Sequence, residues 1–317
     1  MARALIRAEL GVRLGVSARD RDERVPAGQR ARYQPPPIRA ARRDRLRARG
    51  TPRPLASWAL SPQAVEAIRA QMLRGGEPGD ALLAHRDAAI VSLQYGLATR
   101  NQEVWGLRWS SIDGHFAWVT EVISYGRLEH WGKTAMSTRR HTAIPGILRE
   151  DLQQWRQALV DGGHSARDVD FIIPGDLTGA EQGVRDPATG AVHLSRAQAK
   201  NWVQTRFRPA VRTLATRTEF ASILGATPYA LRRGGISLRL RTEDPQIVAS
   251  ECGTSLKMLS DHYSFPIEDL RHHELRPADV EWRAARAALS EQRAREREQH
   301  RGLFARFSTR RERKRRA

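Results

Sequence analysis

The chain of 317 residues contains one cysteine, Cys252, which excludes an intramolecular disulfide and a zinc site built on several thiolates. A reducing compartment suits such a chain. Lysine is nearly as scarce: Lys133, Lys200, Lys257 and Lys314 are the only four, so arginine carries almost all of the basic charge. No apolar run reaches the ~18 residues that a membrane-spanning helix needs. The opening residues, Met1 to Arg7, lack a continuous apolar stretch, which argues against a secretory signal. The expectation from these absences is a cytoplasmic protein with no membrane partner.

What is present is charge of one sign. Lysine and arginine number 54 against 35 aspartate and glutamate, a formal net charge of +19 at pH 7. A coding bias towards arginine would raise the basic count, but the acidic residues do not rise to balance it. Such an excess points to a polyanionic partner, nucleic acid first. Charge alone indicates neither sequence specificity nor chemistry.

Residues 1–59 are rich in arginine and interrupted by Pro35, Pro36 and Pro37, and they read as an arm or linker. From Ser61 the texture changes. Ser61 suits a helix cap with Pro62 at the first position, and Val65, Ile68, Met72 and Leu73 follow at helical spacing. Further helices are expected over 80–95, 101–107, 145–159, 196–215, 230–241, 245–252 and 255–263. Strands are expected over 116–124, 127–131 and 139–144, which would make a small three-stranded antiparallel sheet. The fold class is therefore mainly α with a small antiparallel β-sheet. Residues 60–275 form the expected main domain, and 276–317 a charged basic tail ending in a frayed helix or disorder.

Four separated segments stand out for chemistry. Arg100 begins a helix and Glu103 follows three positions later. Lys133 lies in Gly132-Lys133-Thr134, just ahead of Arg139 and Arg140. Tyr229 and Arg232 share a helix, Tyr229 near its start. Gly253-Thr254 precedes Tyr263, which follows Thr254 by nine positions. In content and order these segments resemble the catalytic boxes of the tyrosine recombinase (phage integrase) family, over about residues 60–270. Two positions depart from the family pattern: Tyr229 and Thr254 stand where it usually has histidine.

The resemblance implies a site-specific recombinase that cleaves and rejoins double-stranded DNA through a 3′-phosphotyrosyl intermediate. It implies Arg100, Lys133, Tyr229, Arg232, Thr254 and Tyr263 as catalytic residues, and assembly as a homotetramer on DNA. No metal, ATP or other small-molecule cofactor is implied, because the covalent link conserves the bond energy. The residue types suit this chemistry. Arginine forks match the nonbridging oxygens on which charge grows, and a phenol supplies an attacking oxygen. Tyr229 and Thr254 keep a hydroxyl at the phosphate and lose a titrating imidazole, so the alternative is a weakened or inactive DNA-binding derivative. The 1–59 segment is then a truncated remnant of a DNA-clamping domain.

Other signals are discounted. The stretch from Gly126 to Thr134 is one residue longer than a phosphate-binding loop and lies between strands, where that loop needs a strand followed by a helix. His262, His272 and His273 have no carboxylate or cysteine set at ligand spacing and read as surface residues. Glu103 reads as a carboxylate that orients an arginine rather than as a general base.

Overall fold

The computed structural model describes residues 59–74, 81–130, 140–177, 183–263, 270 and 274–316. All belong to one of two units into which the chain divides, Arg53–Ala317. That unit is mainly α with small antiparallel sheets. No helix among the described residues is long and apolar enough to cross a membrane.

The first helix, α1 (Pro62–Arg74), begins where expected: Ser61 Oγ accepts from the Ala64 amide at 3.3 Å, and Pro62 takes the first turn, where its missing N–H costs nothing. Its Val65, Ile68 and Met72 face the core, while Leu73 is partly exposed. Helix α2 (Ala81–Gly96) is buried from Arg86 to its end, where apolar residues are mixed with paired polar ones such as Asp87, held by Arg206, and Ser92, which donates to Asp151. Short α3 (Asn101–Gly106) follows.

The strand expected over 116–124 is two strands in two sheets. Strand β1 (Ile112–Asp113), β2 (Phe116–Val119) and β5 (Arg140–Ala143) make one antiparallel sheet in the order β1-β2-β5. β3 (Val122–Ser124) and β4 (Arg127–Glu129) make a separate hairpin. The break falls at Thr120 and Glu121. There the Glu121 carboxylate is held by Arg108 at 2.6 Å, and its carbonyl lies where a Cβ on Gly106 would be 2.5 Å away. This pinning turns the chain before β3. Tyr125 and Gly126, both at positive φ, close the β3–β4 hairpin in two residues.

Helix α4 (Gly146–Asp161) is followed by the small hairpin β6 (Val184–Arg185) and β7 (Val192–His193), which the sequence did not suggest. The helix expected over 196–215 is α5 (Arg196–Asn201), a π-helical stretch (Trp202–Phe207) and α6 (Arg208–Ala215). Pro209 has no N–H to offer the Thr205 carbonyl, which interrupts the ordinary ladder, and within the π-helical stretch Thr205 Oγ1 donates to the Asn201 carbonyl at 2.9 Å. Then come α7 (Pro228–Arg239), α8 (Pro245–Cys252), α9 (Leu256–Tyr263) and α10 (Ala278–Arg316).

Two contacts fix where the site forms. Gly234 and Gly235 let α7 touch the main chain of its neighbours: a Cβ on Gly235 would lie 2.1 Å from the Tyr95 carbonyl oxygen, and one on Gly234 would lie 2.4 Å from that of Leu60. Only glycine permits that approach. The first part of α10 packs into the core rather than lying free. Trp282 is 1% exposed, stacks edge-on against Tyr95 with ring centroids 5.1 Å apart, and donates to Glu66 at 2.5 Å. One turn on, Arg286 donates to both Glu66 and Asp151 at 2.8–3.0 Å. Trp282→Ala is expected to cost roughly 3–5 kcal/mol, the usual loss for a buried tryptophan. A lower denaturant midpoint with an unchanged slope is the reading that checks it.

Candidate active site

Glu103 is the centre around which the site is built. It occupies the third position of α3, its side chain is 3% exposed, and it accepts hydrogen bonds from Arg140 at 2.7 and 3.2 Å and from Arg100 Nη1 at 2.8 Å. Arg232 approaches the same carboxylate to 3.9 Å. Burial by itself would raise the carboxyl pKa. Arg140 first, then Arg232 and Arg100, overcome that and hold it below its ordinary value.

The arginines arrive from three directions. Arg100 caps α3 in an extended conformation, and its main-chain N–H also bonds Glu103 at 2.7 Å. Its other fork donates to the Gly253 carbonyl at 3.1 Å. Gly253 ends α8 in the left-handed region (φ 61°), which turns that carbonyl towards Arg100. Arg140 stands on β5, where residues alternate inward and outward, and Arg140 and Thr142 face in. Its Nε donates to the Glu251 carbonyl at 2.7 Å.

Arg232, on α7, is 1% exposed. It donates to the Ala98 carbonyl and, at 2.7 Å, to that of Cys252. Ala98 has φ 49°, a conformation that costs a non-glycine residue roughly 1–2 kcal/mol and here aims a carbonyl at Arg232. Arg232 Nε has no hydrogen-bond partner among the described residues.

Tyr263 ends α9 with 3% of its surface exposed, and its main-chain carbonyl accepts from Ser237 Oγ at 3.1 Å. Its hydroxyl is hydrogen-bonded to that of Tyr229, which lies in the first turn of α7 and is 40% exposed. Burial raises the Tyr263 phenol above its ordinary pKa, Tyr229 adds to that, and the nearby Arg232 cation opposes it. Thr254 follows Gly253, is largely buried, and its amide donates to the Ala249 carbonyl at 2.9 Å.

Five of the six residues expected in the site are thus brought together: Arg100 and Arg232 at one carboxylate, Thr254 at the turn that Arg100 grips, and Tyr229 and Tyr263 in contact. Lys133 lies outside the described residues. Sequence reasoning missed Arg140, which binds Glu103 more closely than Arg232 does. The missing signal was the inward register of β5, which only the pairing with β2 reveals. It also missed Arg239 and Glu251, paired at 2.6 Å beside Thr142 and Cys252. Among the described residues no group of histidine, cysteine, aspartate and glutamate is arranged to hold a metal ion.

No family model matches the chain, and no curated protein matches it. Among solved structures it is similar to the XerA recombinase, at 15% identity over 70% of this chain, with a TM-score of 0.44. It is similar to the Tn1549 transposon integrase in complex with circular intermediate DNA, at 14% identity over 73% of both chains, with a TM-score of 0.45. It is also similar to the XerH site-specific recombinase bound to its difH substrate, at 13% identity over 68% of this chain, with a TM-score of 0.42. The match spans 64% of the XerA chain and 52% of the XerH chain.

Proposed function

We propose that this chain is a site-specific DNA recombinase of the tyrosine type, which cleaves and rejoins strands of duplex DNA with Tyr263 as nucleophile. The observation that supports this most is the meeting of Arg100 and Arg232 at the buried Glu103, with Arg232 also acting electrostatically on the Tyr263 phenol that Tyr229 contacts. A cluster that holds arginine forks beside a phenol suits one task well, the attack of that phenol on a phosphodiester.

In this reading Arg100 and Arg232 bind the nonbridging oxygens, and Tyr229 and Thr254 add neutral hydrogen bonds there. The Tyr263 hydroxyl gives up its proton to water as its oxygen bonds to phosphorus, the bond to the 5′ oxygen breaks, and the Lys133 ammonium gives that oxygen a proton and regains one from water. Return attack by another strand's 5′ hydroxyl reverses these changes, so no energy source is consumed. Residues 60–275 carry the chemistry, the arginine-rich residues 1–59 act as an arm that contacts DNA, and the basic segment 276–317 adds phosphate contacts. The working form is a homotetramer on two duplexes in the cytoplasm, as expected of an enzyme that integrates or excises a mobile element.

A second reading, a DNA-binding derivative without activity, draws on the 3% exposure of Tyr263 and the hydroxyls at both usual imidazole positions. A suicide DNA substrate taken from the flanks of the gene separates the two. The enzyme gives a covalent protein–DNA band on a denaturing gel, whereas tight binding with no band leaves the derivative. Binding of either kind should weaken steeply with salt, with a log–log slope near −0.9 for each phosphate neutralised. A flat dependence in the same gel-shift series removes DNA as the main partner.

A further inference from the structure

We propose that Tyr229 is a positioning residue that caps the nucleophile: in the DNA-free protein its phenol holds the Tyr263 hydroxyl, and it yields that place to a phosphate oxygen. This rests on the reading of Tyr263 as nucleophile, but its test does not.

The two phenols are unequal. Tyr263 is 3% exposed and Tyr229 40%. Tyr263 is anchored at its main chain by Ser237 and is packed among Ala98, Ile236, Val248, Ala249, Cys252 and Leu259. Among the described residues Tyr229 belongs to neither hydrophobic cluster: the Arg233 guanidinium lies 5.1 Å from its ring centroid, and two-fifths of the residue meets solvent. When the pair separates, Tyr229 is therefore the member that moves, by a side-chain rotation at the exposed start of α7. Tyr263 stays in place.

Arg232 is buried and close enough to act electrostatically on the Tyr263 phenol, and two of its nitrogens are bound to the carbonyls of Ala98 and Cys252. The exposed partner of the Tyr263 hydroxyl is Tyr229. An oxygen that bonds the Tyr263 hydroxyl from solvent displaces that of Tyr229. A phosphate oxygen can do so with gain, because hydrogen bonds to an anion beside a guanidinium are stronger than those between two neutral phenols. The titration of Tyr263 agrees, since Tyr229 is one of the influences that raise its phenol pKa. Removing the cap frees a more acidic, more reachable hydroxyl.

The test is acetylation by N-acetylimidazole, which transfers an acetyl group to an accessible phenol oxygen and releases imidazole. Peptide mass spectrometry follows each tyrosine in the full-length wild type, Tyr229→Phe and Tyr229→Ala. The chain carries its own controls: Tyr125 is 72% exposed and Tyr95 1%. The expected result is a roughly fivefold faster modification of Tyr263 in Tyr229→Phe, the weight of one net hydrogen bond. A larger rise is expected in Tyr229→Ala, with Tyr125 unchanged and Tyr95 protected. Equal Tyr263 rates in wild type and Tyr229→Phe overturn the proposal. If the alanine variant exposes Tyr95 it has unfolded, and the phenylalanine variant, which keeps the ring, decides. Faster labelling in a protein that forms no DNA adduct would leave the cap standing and remove the recombinase reading. An adduct-forming protein whose labelling is unchanged would do the reverse.

Discussion

Tyr263→Phe is expected to abolish the covalent protein–DNA adduct while leaving non-covalent binding nearly intact. Phenylalanine keeps the ring that packs between α7 and α8 and removes the one oxygen that would attack phosphorus. The lost hydrogen bond to Tyr229 costs stability by only about 1 kcal/mol, so a fall in adduct cannot be blamed on unfolding. Labelled suicide substrate run on a denaturing gel, beside a native binding shift, reads both quantities. A band of wild-type strength in the variant removes Tyr263 from the chemistry and moves attention to Tyr229, the other phenol in contact with the site.

The second large effect concerns Glu103. Arg100, Arg140 and Arg232 converge on it, and three of the four side chains, those of Glu103, Arg140 and Arg232, are almost completely buried. Glu103→Ala leaves that positive charge uncompensated in a poorly hydrated place, a change that commonly costs roughly 3–5 kcal/mol. Denaturant unfolding should show it, and DNA cleavage should fall with it, because Arg100 and Arg232 lose the group that aims them.

The same carboxylate sets an acid limit. Its folded pKa lies below the ordinary value of 4.5, so between the two values the unfolded chain binds more protons than the folded one. Stability from Glu103 is therefore complete above about pH 4.5 and is lost as pH falls through the lower folded value. Glu103→Gln should flatten that part of the stability curve. A variant with the wild-type acid limb would show that the cluster does not depend on the charge of Glu103.

The helical framework was readable because its signals are local. Ser61-Pro62 marks the start of α1, and Asp244-Pro245 marks that of α8, where Asp244 accepts from the Gln246 amide at 2.6 Å. The boxes around Arg100, Arg232 and Tyr263 were readable as residue types in a familiar order. What stayed hidden depends on partners distant in sequence. Arg140 looks like one basic residue among many until the register of β5 with β2 turns it inward. Residues 116–124 have uniform strand character, and only the grip of Arg108 and the closeness of Gly106 split them. The charge-dense segment after Ala278 offered no long apolar stripe, yet Trp282, with Leu289 and the Arg286 ion pairs, ties its start to the core. The α-carbonyl of Ala98, which holds Arg232, has no sequence signature at all.

Tyr263 does not belong to the main hydrophobic core. Among the described residues it sits with six others in a separate cluster contributed mostly by α7, α8 and α9. Small clusters of this kind open at a lower free energy than the body of a domain, because less apolar surface must be wetted. The cluster that carries Tyr263, the proposed nucleophile, is thus expected to open more readily than the rest of the domain. Such opening is a rarer event than the turning of the Tyr229 side chain and leaves α1, α2 and α4 folded, and its frequency becomes a quantity that sequence changes at Val248 or Leu259, whose side chains are apolar, would tune.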